Sequence, residues 1–264
     1  MAYTGAVQRD PQSHKGQNGT VAIIGGSRAQ HGAPLFAALA AEACGVDILH
    51  VCVPRCHGEV AKVLSLNFQV HPFVGDDLTS ADIEPLLELL ATMDCAVIGP
   101  GIARDTSSLA ALRTLVAEAP CPLVLDATAL QPWTLDAARG KACILTPHPG
   151  ELERMGITPD GAGDAAKAHD VVLLLKGVTD IVVDHDGSRR VISGGNAGLT
   201  VGGTGDALAG CCCGLRAQGL SPAAAASLAS RMIKAAGDAL LPTHGFAYTA
   251  RDVIAQIPHL LASA

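Results

Sequence analysis

The chain has 264 residues, 49% of them hydrophobic, with 18 basic and 25 acidic side chains and a formal charge of -7. That is ample apolar material for one α/β layer structure, and the absence of any Lys/Arg stripe excludes nucleic acid as the main partner. No apolar stretch approaches the roughly 18 residues of a membrane span, and Met1 to Gly19 is polar with no apolar signal segment, so a soluble, unexported, cytoplasmic protein without a membrane partner is expected.

In chain order, Val21-Ala22-Ile23-Ile24 predicts a buried strand turning at Gly25-Gly26-Ser27. An alanine-rich helix is expected from Pro34 to Cys44, since Pro suits a first helical turn and Gly45 stops it. A strand over Ile48 to Val53, a helix near Gly58 to Leu66, a strand near Val70 to Val74 and a helix near Ser80 to Ala91 follow. Cys95 to Ile98 then reads as a strand ending in Gly99-Pro100-Gly101, Thr106 to Glu118 as a helix, Pro122 to Leu125 as a strand ending in Asp126, and Ala142 to Leu145 as another.

Strands alternating with helices argue for a central, mostly parallel sheet with helices on both faces, in which ligands bind beyond the strand C-termini. Gly25-Gly26-Ser27, Gly99-Pro100-Gly101, Asp126 and Thr146-Pro147-His148-Pro149-Gly150-Glu151 all fall at such ends and predict one cleft. Later, Val171 to Leu175 is a strand ending in Lys176-Gly177, and Ile181 to Ile192 reads as an antiparallel edge hairpin turning at Asp186-Gly187. Two helices, about Pro222 to Leu241 and Ala250 to Leu261, close the chain; no linker or repeat interrupts it, so residues 1–264 are expected to be a single domain.

Between hairpin and helices lies the stretch richest in chemistry, Asn196 to Gly210. Gly202, Gly203 and Gly205 free the backbone and leave its amides bare, while the apolar run after Asp206 marks a buried helix. Orphan amides at a helix start attract anions, and Asp206 beside them could take a proton from a hydroxyl during phosphoryl transfer. The plainer alternative is a helix capped by Thr204 or Asp206, with glycines serving only the turn.

No P-loop, dinucleotide-fingerprint, nucleophile-elbow or His-Glu-x-x-His pattern occurs. Eight of the nine cysteines sit in or beside apolar segments and read as small buried residues; Cys52, Cys56 and His57 have a metal-like spacing but lack a second pair. His148, pinned between two prolines, is expected to face the ligand. Glu151 could hold a hydrated Mg²⁺ through water or cap the next helix, and Lys176 could balance phosphate charge.

His14-Lys15-Gly16, Ile24-Gly25-Gly26, Ile98-Gly99-Pro100-Gly101, Leu125-Asp126-Ala127, Thr146 to Glu151, Leu175-Lys176-Gly177 and Asn196 to Asp206 occur in this order. In order and spacing they resemble the ADP-dependent NAD(P)H-hydrate dehydratases, of ribokinase-like fold, over about residues 14 to 262. The resemblance implies a lyase of metabolite repair. Such an enzyme dehydrates (6S)-NADHX or NADPHX to NADH or NADPH with ADP, or ATP, as co-substrate and Mg²⁺ as cofactor, releasing AMP and phosphate. It implies Asp206 as the catalytic base and a substrate contact, with Ala33, Gly101 and His148 also touching the hydrate. Lys176, Gly177, Val178, Thr179, Asp180, Gly203, Thr204 and Gly205 would lie on the nucleotide side.

Two departures stand out: Asp180 occupies a position where many relatives carry threonine, and Ala103 one where they carry glycine. A separate epimerase is expected as a functional partner, and smooth alanine-rich helices suit a homodimer or homotetramer. Two other functions compete. One is a ribokinase-like kinase of a thiazole or pyrimidine alcohol; the other is a nucleotide-binding protein without turnover, against which Asp206 argues.

Overall fold

In the computed structural model, which describes residues 9–262, one nine-stranded sheet runs in the order β3-β2-β1-β4-β5-β6-β7-β8-β9. The elements are β1 (Thr20–Ile24), α1 (Gly32–Ala43), β2 (Ile48–Val53), α2 (Gly58–Leu64), β3 (Phe68–Pro72), α3 (Ile83–Leu90), β4 (Cys95–Ile98), α4 (Thr106–Glu118) and β5 (Leu123–Leu125). They continue with α5 (Thr134–Ala138), β6 (Ile144–Leu145), α6 (Pro149–Arg154), α7 (Ala162–His169), β7 (Val172–Leu175), β8 (Asp180–Val183), β9 (Arg189–Ile192), α8 (Thr204–Ala217), α9 (Pro222–His244) and α10 (Ala250–Ala262). Strands β1 to β7 pair in parallel, whereas β8 is antiparallel to both β7 and β9. The mostly parallel sheet with an antiparallel edge hairpin is therefore the expected one.

Alternation along each strand sorts side chains to the two covered faces. Val21, Ile23, Val97, Val124 and Leu174 join one core with residues of α1, α8, α9 and α10. Ala22, Ile24, Ile98, Leu125 and Leu173 join the other with residues of α3, α4, α5 and α7. Ile23, Ile24, Ile98 and Leu125 are fully buried, and each such side chain stabilises the fold by about 1.5–3 kcal/mol relative to exposure.

Small residues bring α1 and α8 into close contact. A Cβ on Gly210 would stand 2.1 Å from the Ala37 carbonyl oxygen, and one on Gly214 would stand 2.9 Å from Cys44 Cβ. This packing fixes the position of α8, and with it Asp206 in its first turn.

Helix α1 starts two residues before Pro34, β3 lies over Phe68–Pro72 rather than Val70 to Val74, and a 3-10 turn at Ser80–Asp82 precedes α3. The β3 shift follows from pairing, because Leu49 opposite Phe68 sets its register. Helices α5 and α7 were not legible: α7 is an Ala-rich segment with only Ala162 and Ala166 buried, too little apolar signal to separate it from loop. Among the described residues no helix is long and apolar enough to cross a membrane.

Candidate active site

Parallel pairing places the C-terminal ends of β1, β4, β5, β6 and β7 along one rim of the sheet, and glycines let these ends crowd together. Gly99, at φ +124°, has no room for a side chain, since a Cβ would lie 2.0 Å from the Asp126 carbonyl oxygen. A Cβ on Gly25 would lie 2.3 Å from the Pro100 carbonyl oxygen. Gly101 faces Ala33 across a would-be Cβ distance of 3.3 Å, so the two residues expected to touch the hydrate are neighbours.

Lys176, the first residue after β7, is the hub of the rim. Its Nζ donates to Asp126 Oδ1 at 2.7 Å and lies 3.6 Å from Glu151 Oε2. Asp126 and Glu151 are 2% and 4% exposed, and Thr146 Oγ1 donates to the same Asp126 oxygen at 2.8 Å. Burial by itself pushes the Lys176 ammonium down, but Asp126, Glu151 and Asp206 outweigh it and raise its pKa, so it stays charged. Asp206 has the opposite balance. Burial, then repulsion from Asp126, pushes its carboxyl up to about 7, with Lys176 partly offsetting and Glu151 adding to the rise. A carboxylate tuned to neutral pH is suited to proton transfer.

Gly203, in the left-handed region at φ +99°, is the N-cap of α8 and supplies no capping side chain. Thr204 does not cap either: its hydroxyl donates to the Leu199 and Val201 carbonyls at 2.8 and 3.0 Å. No side chain caps this helix start, Thr204 and Asp206 included, and apart from the Thr204 amide, which donates to the Val201 carbonyl at 3.5 Å, the first-turn amides remain available to an anion. A Cβ on Gly205 would be 3.5 Å from Lys176 Nζ, which places that ammonium beside the open helix end.

Three cavities adjoin this point. One of about 130 Å³ is lined by Lys176, Gly177, Asp180, Thr204, Gly205 and Lys234; a second, about 370 Å³, by Gly177, Val178, Gly194 to Ala197 and Lys234; a third, mostly apolar and about 670 Å³, lies on the far side of Lys176 and Gly177 against Pro147, Pro149 and Ile181. Asn196 Oδ1 accepts from the Gly198 amide at 3.0 Å and from Tyr248 Oη at 2.6 Å, but its Nδ2 is buried without a partner among the described residues. An orphaned donor in a cavity wall fits a ligand with acceptor atoms, as a nucleotide has. Val178 and Thr179 are exposed, whereas Asp180 is buried.

His148 is the N-cap of α6. Its Nδ1 accepts from the Gly150 and Glu151 amides at 3.0 and 3.2 Å, and Glu151 Oε2 accepts from the His148 amide at 2.9 Å. Of the two roles open to Glu151, a water-mediated Mg²⁺ contact and a helix cap, the structure shows the cap. The described residues contain no group of three or more His, Cys, Asp or Glu side chains able to hold a metal. The carboxylates here converge on Lys176 instead, a donor set that fits Mg²⁺ only as a hydrated ion carried on nucleotide phosphates. All nine cysteines are free; Cys52 is buried, with its thiol pushed up to about 12 by burial, and forms no zinc site with exposed Cys56.

Its strand end makes Asp126 legible as a cleft residue, but its pairing with Lys176, 50 residues away, and the place of Lys234 on the cavity walls are not legible in the sequence. A polar residue in an apolar helix was the one available signal for Lys234. His14-Lys15-Gly16 lies elsewhere: the Gly16 amide donates to Asp47 just before β2, at the opposite sheet rim.

Known proteins resemble this chain in sequence and fold. The family model for NAD(P)H-hydrate dehydratase matches residues 21–259. An ADP-dependent (S)-NAD(P)H-hydrate dehydratase of Cenarchaeum symbiosum is 35% identical over 96% of this chain and 92% of its own length. The bifunctional NAD(P)H-hydrate repair enzyme Nnr of Methanothermobacter thermautotrophicus is also 35% identical, but the chain spans only 51% of it. The crystal structure of ADP/ATP-dependent NAD(P)H-hydrate dehydratase from Bacillus subtilis, co-crystallized with ATP/Mg2+, superposes with a TM-score of 0.81 at 26% identity, covering 97% of this chain and 93% of that one. With a family match across nearly all of the ribokinase-like sheet and its rim, this chain belongs to the NAD(P)H-hydrate dehydratase family.

Proposed function

We propose that the protein repairs NADHX and NADPHX, using ADP or ATP to drive loss of water from the hydrated ring. The observation that carries this reading is Asp206, a carboxyl pushed up to about 7 beside an uncapped helix start and the Lys176 ammonium. Asp206 takes the proton of the ring hydroxyl as its oxygen attacks the terminal phosphorus. The amides near Gly203 to Gly205 and the Lys176 ammonium hold the charge of the migrating phosphoryl group. The bond to AMP breaks when ADP is the donor. Hydroxide is a poor leaving group and phosphate a good one, so the ring nitrogen lone pair then expels phosphate while the adjacent carbon loses a proton.

In this reading Ala33, Gly101 and His148 contact the hydrate, and Lys176 to Asp180 with Gly203, Thr204 and Gly205 form the nucleotide side. Bound Mg²⁺ supplies positive charge to the nucleotide phosphates, with Glu151 reaching it through water. We also propose that residues 1–264 act as one domain and form a homodimer or homotetramer, for which exposed Val191 and Phe246 offer apolar surface. A cytoplasmic setting agrees with nine free cysteines. Epimerisation of the other hydrate isomer falls to a partner enzyme, as the bifunctional relatives' name for a combined repair enzyme suggests.

The test is incubation of prepared NADHX with the protein, ADP and Mg²⁺. Return of the near-ultraviolet dihydronicotinamide absorbance, with one phosphate per ring, is expected. No recovery with either ADP or ATP would sink the proposal, and accumulation of a stable phosphate ester of an added alcohol would favour a kinase instead.

A further inference from the structure

The turn from Gly177 to Asp180, where β7 passes into β8, is held by a buried ion pair between Lys234 and Asp180 that involves neither Lys176 nor Asp206. Lys234, on α9, is 6% exposed; its Nζ donates to the Val178 carbonyl at 2.9 Å and to the Gly177 carbonyl at 3.3 Å. Asp180 Oδ1 lies 3.5 Å from the same ammonium and accepts from the Gly177 amide at 2.9 Å. The other oxygen, Oδ2, accepts from Ser230 Oγ at 2.7 Å. The Asp180 side chain is therefore turned into the protein, while Val178 and Thr179 between them are exposed.

An exposed turn containing glycine ordinarily loses backbone freedom when a ligand orders it. Here the carbonyl side is tied by Lys234 and the amide side by Asp180, so that ordering is already made in the free protein. Lys234 also lines two of the cavities, and its donors are taken by the turn; Lys176 remains the ammonium for phosphate. A threonine at position 180 could accept from the Gly177 amide with no counter-ion. A buried carboxylate needs one, so Asp180 and Lys234 form a matched pair.

We propose that Asp180 and Lys234 are positioning residues that together pre-set the 177–180 turn for the nucleotide, each useful only in the presence of the other. The inference rests on the reading of that turn as the nucleotide side.

The test compares the unaltered chain with Lys234→Met, Asp180→Thr and the double variant, measuring ADP affinity by calorimetry, the kinetic constants and the thermal midpoint. Each single change is expected to weaken ADP about tenfold, with KM for ADP rising far more than kcat falls and KM for the hydrate unmoved. The double variant should weaken ADP much less than the product of the single effects. If Lys234→Met fails to fold, the double variant, which buries no lone charge, still reports ADP affinity, and Asp180→Ala, which removes the acceptor of the Gly177 amide, should exchange that amide faster and bind ADP more weakly. ADP affinity within twofold in both single variants, or effects that simply multiply, would overturn the proposal while hydrate turnover persisted. Coupled ADP binding without any hydrate turnover would instead uphold it and overturn the dehydratase reading.

Discussion

Two helices start beside Lys176, and they treat their first-turn amides in opposite ways. At α6 a reciprocal box is closed: His148 takes the Gly150 and Glu151 amides, and Glu151 takes that of His148. At α8 Gly203 offers no side chain and the Thr204 hydroxyl is turned back to carbonyls. The closed end builds the wall; the open end leaves room for an anion. The acids follow the same division. Glu151 is engaged by a backbone amide and Lys176, whereas Asp206 sits where burial and a neighbouring carboxylate keep a proton on it near neutral pH.

The largest effect should come from the open end. Asp206→Asn is predicted to lower turnover by about 10²–10⁴ while ADP still binds. In the unaltered protein the rate should rise with pH through about 7, as Asp206 loses its proton; the variant should lack that limb. Stability should move the other way. Because the folded pKa lies above the ordinary 3.8, the folded chain holds a proton that the unfolded chain has released, and stability falls as pH rises through that window. Above it, Asp206→Asn should be the more stable protein by about 1–3 kcal/mol in denaturant titration. Near-normal turnover in this variant would remove Asp206 as the base.

Removing the group shared by both ends comes next. Lys176→Met is predicted to cut kcat/KM by about 10²–10³, and to move the rise in rate to higher pH, because Asp206 loses its nearby cation. An unmoved limb would break the electrostatic link between the two carboxyl environments.

Gly205→Ala sharpens the contrast at the open end alone. Its new Cβ would make an ordinary 3.5 Å contact with Lys176 Nζ, and alanine suits a helix better, so the fold should be unharmed or slightly firmer. ADP should nevertheless bind about tenfold more weakly, since a methyl group narrows the approach to the amides. Unchanged calorimetric affinity would mean that phosphate does not sit there.

The closed end should respond least. His148→Ala removes a cap and is expected to cost about 0.5–2 kcal/mol of stability, which His148→Asn should largely restore. If KM for the hydrate rises in both variants, His148 also touches substrate; if it follows the cap alone, the imidazole is structural.

Much of this fold is legible from local pattern. The apolar runs at Val21, Cys95 and Val171 and the Gly45 stop follow from side-chain period and backbone sterics, which neighbours in sequence already fix. The short helices α5 and α7 are not legible, because their helical state rests on docking a few alanines rather than on an apolar stripe.

At the site, residue types and order pointed to the family and put Asp206 in the first turn of a helix behind a glycine-rich turn. Tertiary structure alone decided which charges meet. Lys176 finds Asp126 and Lys234 finds the Gly177 to Asp180 turn across 50 or more positions. Such partners are chosen by strand order and helix docking, and the tuning of Asp206 depends on burial and on charges contributed by other elements.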